Sequence, residues 1–248
     1  MSWWRIARYG TGLAVLAASP LVLAPATAAP PRVREPLDRA ALGRVAEGLS
    51  PQVLSLALDA AEWARREGIS PPPSVLTVID YSLPSTEPRL WVLDLERRRL
   101  LFRELVAHGA GSGDDVATRF SNTEGSRQTS LGLFQTADTY EGGNGYSLKL
   151  RGLEPGTNDR AYERTIVVHG AWYVSGEHAR RWGRLGRSWG CPALPLAKAR
   201  PVIDTIKGGS LLFAYYPDPT WLRGAAYTRE APSSAAAGAA ARAAGGRR

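Results

Sequence analysis

Three consecutive prolines in SPPPS, residues 70–74, cut the chain into two textures. Each proline lacks a backbone donor and bars the helical region to the residue before it, so no helix runs through. Before the cut the pattern is helical. One helix is expected over 38–47. A second is better marked, with Ser50 at the N-cap, Pro51 at the first helical position and Gly68 just past the end. Its apolar residues Val53, Leu54, Ala57, Leu58, Ala61 and Trp63 recur at helical spacing. Both helices read as packing.

After the cut the texture is that of strands. VLTVIDY opens it, and RLWVLDL and LLFRELVA flank the charged turn ERRR, which predicts a hairpin over 90–107. Further strands are expected at LGLFQT, YSLKLRG, TIVVHG and LLFAYY. RPVIDTIK reads as a helix stopped at Gly208 and Gly209. The fold class is therefore mainly β: a sandwich or barrel with one or two packed helices, preceded by a small helical N-terminal region. Two polar segments, HGAGSGDDVATRFSNTEGSRQTS and ADTYEGGNG, read as long loops. Loops longer than about 12–15 residues in a compact domain are functional or disordered.

The two ends read differently. Arg5 and Arg8 precede a short, proline-interrupted apolar run, and small residues at Ala26 and Ala28 offer a cleavage site. This is the pattern of an export signal over 1–28, placing the chain in the periplasm or cell envelope. An uncleaved anchor is the alternative, and membrane contact follows only in that case. A Pro/Arg-rich linker begins the 29–74 region. The 228–248 tail is Ala/Gly/Arg-rich, has little to pack and is expected to be disordered. The formal charge is +8. Two arginines of that excess lie in the leader, and the tail carries four arginines against Glu230, so the middle holds only a net +3. That bias does not argue for nucleic acid. It suits an anionic envelope polymer.

Export changes the meaning of Cys191, the single cysteine. In an oxidising compartment cysteines pair, and this one has no internal partner. It lies in GRLGRSWGCPALP, a Gly-rich polar setting that fits a reactive thiol better than a buried apolar filler. Nucleophilic catalysis would need a base within reach. Of three histidines, His178 reads as surface, and His108 sits at a strand end near the site or in a turn. His169 closes the strand TIVVHG and is the candidate base. The N–H groups of Gly190 and Cys191 would serve an oxyanion. One cysteine with scattered histidines does not make a zinc site, and no cofactor is expected.

IVVHGAWYVS followed by GRLGRSWGCPALP resembles the L,D-transpeptidase catalytic domain (YkuD-like) family, and more closely its murein L,D-transpeptidase branch. LTVIDYS, RLWVLDL, LVAHG, SLGLFQT, GYSLKLRGLEPGTND and IKGGSLLFAYYPD extend the likeness over about residues 75–218, within an expected catalytic domain of 75–227. The matching site positions are His169, Gly170, Ser188, Gly190 and Cys191. Two departures, Ala193 where the wider family has arginine or asparagine and SLGLF in place of Thr-Pro-x-Gly-x-Phe, fit the branch. The resemblance implies the corresponding β fold and acyl transfer through a cysteine thioester. A tetrapeptide stem of peptidoglycan would be the donor and an amine of a neighbouring stem the acceptor, giving a 3→3 or 1→3 link. It implies a backbone carbonyl at Gly170 beside the histidine, a loop-shaping Ser188, and capture by carbapenem-type inhibitors. The alternatives are an L,D-carboxypeptidase or cysteine amidase that hydrolyses stem peptides, and a non-catalytic wall-binding module.

Overall fold

The structure is a computed structural model that describes residues 37–69 and 74–229. The expected leader, the linker up to residue 36, the prolines at 71–73 and the tail from residue 230 lie outside the described residues.

Among the described residues, eight strands form one mixed sheet. β1 (Val75–Asp80), β2 (Leu90–Asp94) and β3 (Arg99–Glu104) make an antiparallel meander. β1 also runs parallel to β8 (Leu211–Tyr215). From β8 the sheet continues antiparallel through β4 (Gly132–Gly142), β5 (Gly145–Gly152) and β6 (Val167–Ala171), and β7 (Ala193–Pro195) lies parallel to β6. The chain leaving β3 then crosses to the opposite edge. Ala107 N–H donates to Ala193 O at 2.8 Å, and Ala193 N–H returns a bond to Ala107 O at 3.3 Å. The two edges meet there, and the sheet is a nearly closed barrel.

The strands read as almost continuous apolar runs because both faces are covered. Leu76, Val78, Leu211 and Phe213 pack on one side with Val53, Leu54, Ala57 and Leu58 of α2 (Pro51–Arg66). Their neighbours Ile79, Leu212 and Ala214 point the other way, onto Val202, Ile203 and Ile206 of α4 (Leu196–Ile206). Helix α2 therefore shares the sheet's core. It has Pro51 in its first turn and Gly68 at φ +68° beyond its end. Ahead of it, α1 (Arg39–Val45) is capped by the Asp38 carboxylate, which accepts from Ala41 N–H at 2.9 Å. Three short helices were not read from sequence as such: α3 (Gly176–Trp182), α5 (Pro219–Gly224) and α6 (Ala226–Arg229).

Two expectations need correction. The helix expected at RPVIDTIK begins four residues earlier, at Leu196, and holds Pro201 inside it. The donor that Pro201 lacks would have served Ala197 O, and Ala197 is exposed, so water can replace it. ADTYEGGNG is not a loop. β4 continues through it to Gly142, a two-residue Gly143–Asn144 turn follows, and β5 returns from Gly145. This end of the hairpin is largely solvated on both faces, so it lacks the alternation that marks a half-buried strand.

Candidate active site

Parallel pairing of β6 with β7 brings the two halves of the site together. His169 pairs with Ala193, which sets Cys191 beside Val167 one pleat earlier. Val167 N–H donates to Cys191 Sγ at 3.5 Å, and the thiol points to Thr165 O at 3.7 Å. His169, Ser188 and Cys191 line one cavity of about 690 Å³. Among the described residues no hydrogen bond joins Sγ to the imidazole. Such bonds commonly tighten only once substrate is present.

His169 sits in the middle of β6, since that strand runs on to Ala171 and does not end at the histidine. It is buried, and its Nδ1 meets Gly170 O at 2.9 Å. A carbonyl oxygen only accepts, so Nδ1 carries the proton and Nε2 keeps its lone pair. Burial holds the His169 pKa below the ordinary histidine value, partly offset by the Gly170 carbonyl. The imidazole is thus neutral near pH 7, as a base must be. Burial pushes the Cys191 thiol up, opposed by the Val167 N–H and by the Arg164 guanidinium. Both shifts favour the uncharged forms.

The loop carrying the thiol is held from several sides. Ser188 Oγ donates to Cys191 O at 2.6 Å and accepts from Gly190 N–H at 3.1 Å. Ser188 N–H bonds His108 O at 3.0 Å, and Ala110 N–H bonds Ser188 O at 2.8 Å. Gly190 stands at φ +122°, and a Cβ there would lie 2.8 Å from Gln128 O. Only glycine fits. The Gly190 N–H, expected to serve an oxyanion, donates to Ser188 Oγ in this structure. No bond from the Cys191 N–H to a protein group is present among the described residues.

His108 is not at the cavity. It is buried, accepts at Nδ1 from Arg89 Nη2 at 2.7 Å and directs Nε2 at Gly113 O, 3.4 Å away. Burial and the Arg89 charge lower its pKa to about 4. Arg89, fully buried, donates further to Val106 O and Leu83 O, anchoring the segment that pairs with the thiol loop. His178 lies partly exposed on α3 and does not line the thiol cavity.

Sequence reasoning missed the rest of the cavity wall. Tyr140 and Asn144 reach it from the β4–β5 hairpin, Glu124 and Arg127 from the long loop, and Arg164 and Thr165 from the turn before β6. Arg164 is clamped by four bonds, from Nη1 to Ser121 O and Ser130 Oγ and from Nη2 to Ser126 Oγ and Gln128 O. It supplies a fixed cation near the thiol. Among the described residues no group of three His, Cys, Asp or Glu is arranged to hold a metal ion, and no helix is long and apolar enough to cross a membrane.

Comparison with known proteins places these features in context. A family profile described as the L,D-transpeptidase catalytic domain matches residues 45–215. No curated protein matches the chain in sequence. Among solved structures, the chain is similar to the L,D-transpeptidase LdtMt1 in complex with imipenem, at 14% identity and a TM-score of 0.36, covering 57% of this chain and 59% of that one. It is similar to an L,D-transpeptidase from Mycobacterium smegmatis at 14% identity and 0.37, covering 58% and 59%. An L,D-transpeptidase from Xylanimonas cellulosilytica aligns at 17% identity and 0.36, covering 68% and 81%. The chain thus spans about three fifths of the first two.

Proposed function

Because the chain belongs to the L,D-transpeptidase catalytic domain family, we propose that Cys191 and His169 perform a two-step acyl transfer on peptidoglycan stem peptides. The observation that carries this is the Nδ1–Gly170 O bond, which commits the imidazole to a neutral tautomer with Nε2 free in the cavity that the thiol lines. A backbone carbonyl here does the orienting work that an acid does in a Ser-His-Asp arrangement.

In the first step the thiol turns from Thr165 O, and Nε2 takes its proton as sulfur bonds to the carbonyl carbon of the donor stem. The Cys191 N–H, which has no protein acceptor among the described residues, receives the developing oxyanion. The C–N bond breaks, and His169 gives the proton to the leaving amine of the terminal D-alanine. In the second step an acceptor amine adds to the thioester. Its proton passes to Nε2 and on to the departing sulfur. An acceptor from diaminopimelate gives a 3→3 link and one from the first stem residue a 1→3 link. Such a substrate lies in the periplasm or cell envelope, where the leader would deliver the protein.

The test is the mass of the intact protein. Incubation with imipenem, whose strained amide stands in for the donor carbonyl, should add one acyl group to the wild type. The Cys191→Ala variant should gain nothing. A folded wild-type protein that stays unmodified would overturn the assignment of Cys191 as nucleophile.

A further inference from the structure

A second groove opens beside the thiol cavity. It has a volume of about 380 Å³ and is lined chiefly by Trp172, Tyr173, His178, Trp182 and Arg187. Tyr173 and Arg187 also line the thiol cavity, so the two share a wall.

Its walls are not explained by folding. A surface helix normally buries one face. Helix α3 buries none of its residues and still carries Trp182, 58% exposed. Trp172, on the turn after β6, is 72% exposed. Large exposed apolar side chains grouped together mark binding surfaces. The rings form a row, with Trp172 5.7 Å from His178 and His178 6.2 Å from Trp182 between centroids.

The row is also held in place. Ser175 Oγ accepts from His178 N–H at 3.2 Å, and Gly183 ends the helix in the left-handed region. Gly186 N–H bonds Tyr173 O at 3.0 Å. Asp114 ties down Arg187 at 2.8 Å and Arg184 at 3.8 Å.

We propose that this groove binds the glycan strand from which the donor stem peptide hangs; this rests on the acyl-transfer reading of the adjoining cavity. A pyranose ring offers a flat face of C–H groups to an indole and a rim of hydroxyl and acetamido groups to polar neighbours. Side chains of stem peptides are short or charged and offer no comparable flat apolar face. A peptide reaching Cys191 carries its sugars only a few residues behind, and the groove adjoins the thiol cavity at Tyr173 and Arg187. Arg180 and Arg181 on α3 add positive charge, matching the carboxylates of the wall polymer.

The test is binding of soluble, peptide-free glycan chains of alternating N-acetylglucosamine and N-acetylmuramic acid, measured by calorimetry on the full chain. The wild type should bind, and the W172A/W182A variant should bind at least tenfold more weakly with an unchanged melting temperature. No binding, or equal binding by both proteins, overturns the proposal. So does a concentration-dependent dimer that the variant loses in the absence of glycan affinity, since a second copy would then be the occupant. Binding needs no turnover. A wild type that forms no thioester yet binds glycan through these tryptophans would therefore sink the acyl-transfer reading and sustain this one.

Discussion

Two buried histidines sit on neighbouring elements with opposite tautomers, and each predicts a different pH response. His169 donates from Nδ1 to Gly170 O, and burial lowers its pKa. In the proposed mechanism acylation requires it neutral, so rate should be lost only as pH falls through that lowered value. The acid limb of kcat/KM for acylation should lie below about 6.5, the ordinary histidine value; a limb above it would show that another group governs the step. His108 instead accepts at Nδ1 from Arg89, and its pKa is lowered to about 4. Between roughly 6.5 and 4 the unfolded chain binds a proton that the folded one refuses. Stability should therefore fall as pH drops through that window, by on the order of 3 kcal/mol in all. Chemical denaturation at stepped pH checks this, and His108→Gln should flatten the slope. A wild type equally stable at both ends would contradict it. Arg164 is the third such residue. Replacing it with glutamine removes the fixed cation that opposes burial at Cys191. The thiol pKa should rise further, slowing alkylation near pH 7.5; an unchanged alkylation profile would show that Arg164 acts only as a clamp.

At the scale of elements, the site is a strand and a loop joined by register. His169 and Gly170, then Ser188, Gly190 and Cys191, stand out in the sequence as candidates because each cluster is local and chemically distinctive. Tyr140, Asn144, Arg127 and Arg164 do not, because pairing of β4 with β5 and the bonds of Arg164 bring them in from distant segments. The Gly142–Gly145 run looked like a loop for its glycines, whereas Gly143–Asn144 is a two-residue hairpin turn. That dipeptide was the available signal. Sequence likewise shows the Ser188–Gly190 spacing but not that the hydroxyl turns inward to take the Gly190 N–H. Gly190 also has a conformational duty. Gly190→Ala should destabilise the protein by about 1–3 kcal/mol, from the positive φ and the contact with Gln128 O. It should also slow thiol acylation, and wild-type melting together with wild-type acylation would contradict both claims.

At the scale of the whole molecule, the ends of the described chain close the far side of the barrel. The Glu154 carboxylate accepts from Leu133 N–H at 2.5 Å, Trp221 Nε1 at 2.8 Å and the Tyr227 hydroxyl at 2.9 Å. It ties α5 and α6 to the barrel, with α2 packed in the same core. Glu154→Gln puts an amide N–H against one of these donors. The loss of about 1–3 kcal/mol should lower Tm by on the order of 5 °C, and a calorimetric Tm equal to wild type would show the knot to be dispensable. The mainly β architecture was legible from strand texture after the proline run. Closure of the barrel was not, since it hangs on Ala107 meeting Ala193, residues that carry no side-chain signal. That closure sets the thiol loop against the segment that Arg89 and His108 support. The central claim is that this scaffold exists to make a thioester at Cys191 and pass it to an amine. The most direct measurement is mass-spectrometric analysis of muropeptides after incubating the purified protein with disaccharide-tetrapeptide. The account predicts loss of the terminal D-alanine and cross-linked dimers whose fragmentation shows a 3→3 or 1→3 link, all absent with Cys191→Ala. Unchanged substrate, or tripeptide monomers alone, would contradict it.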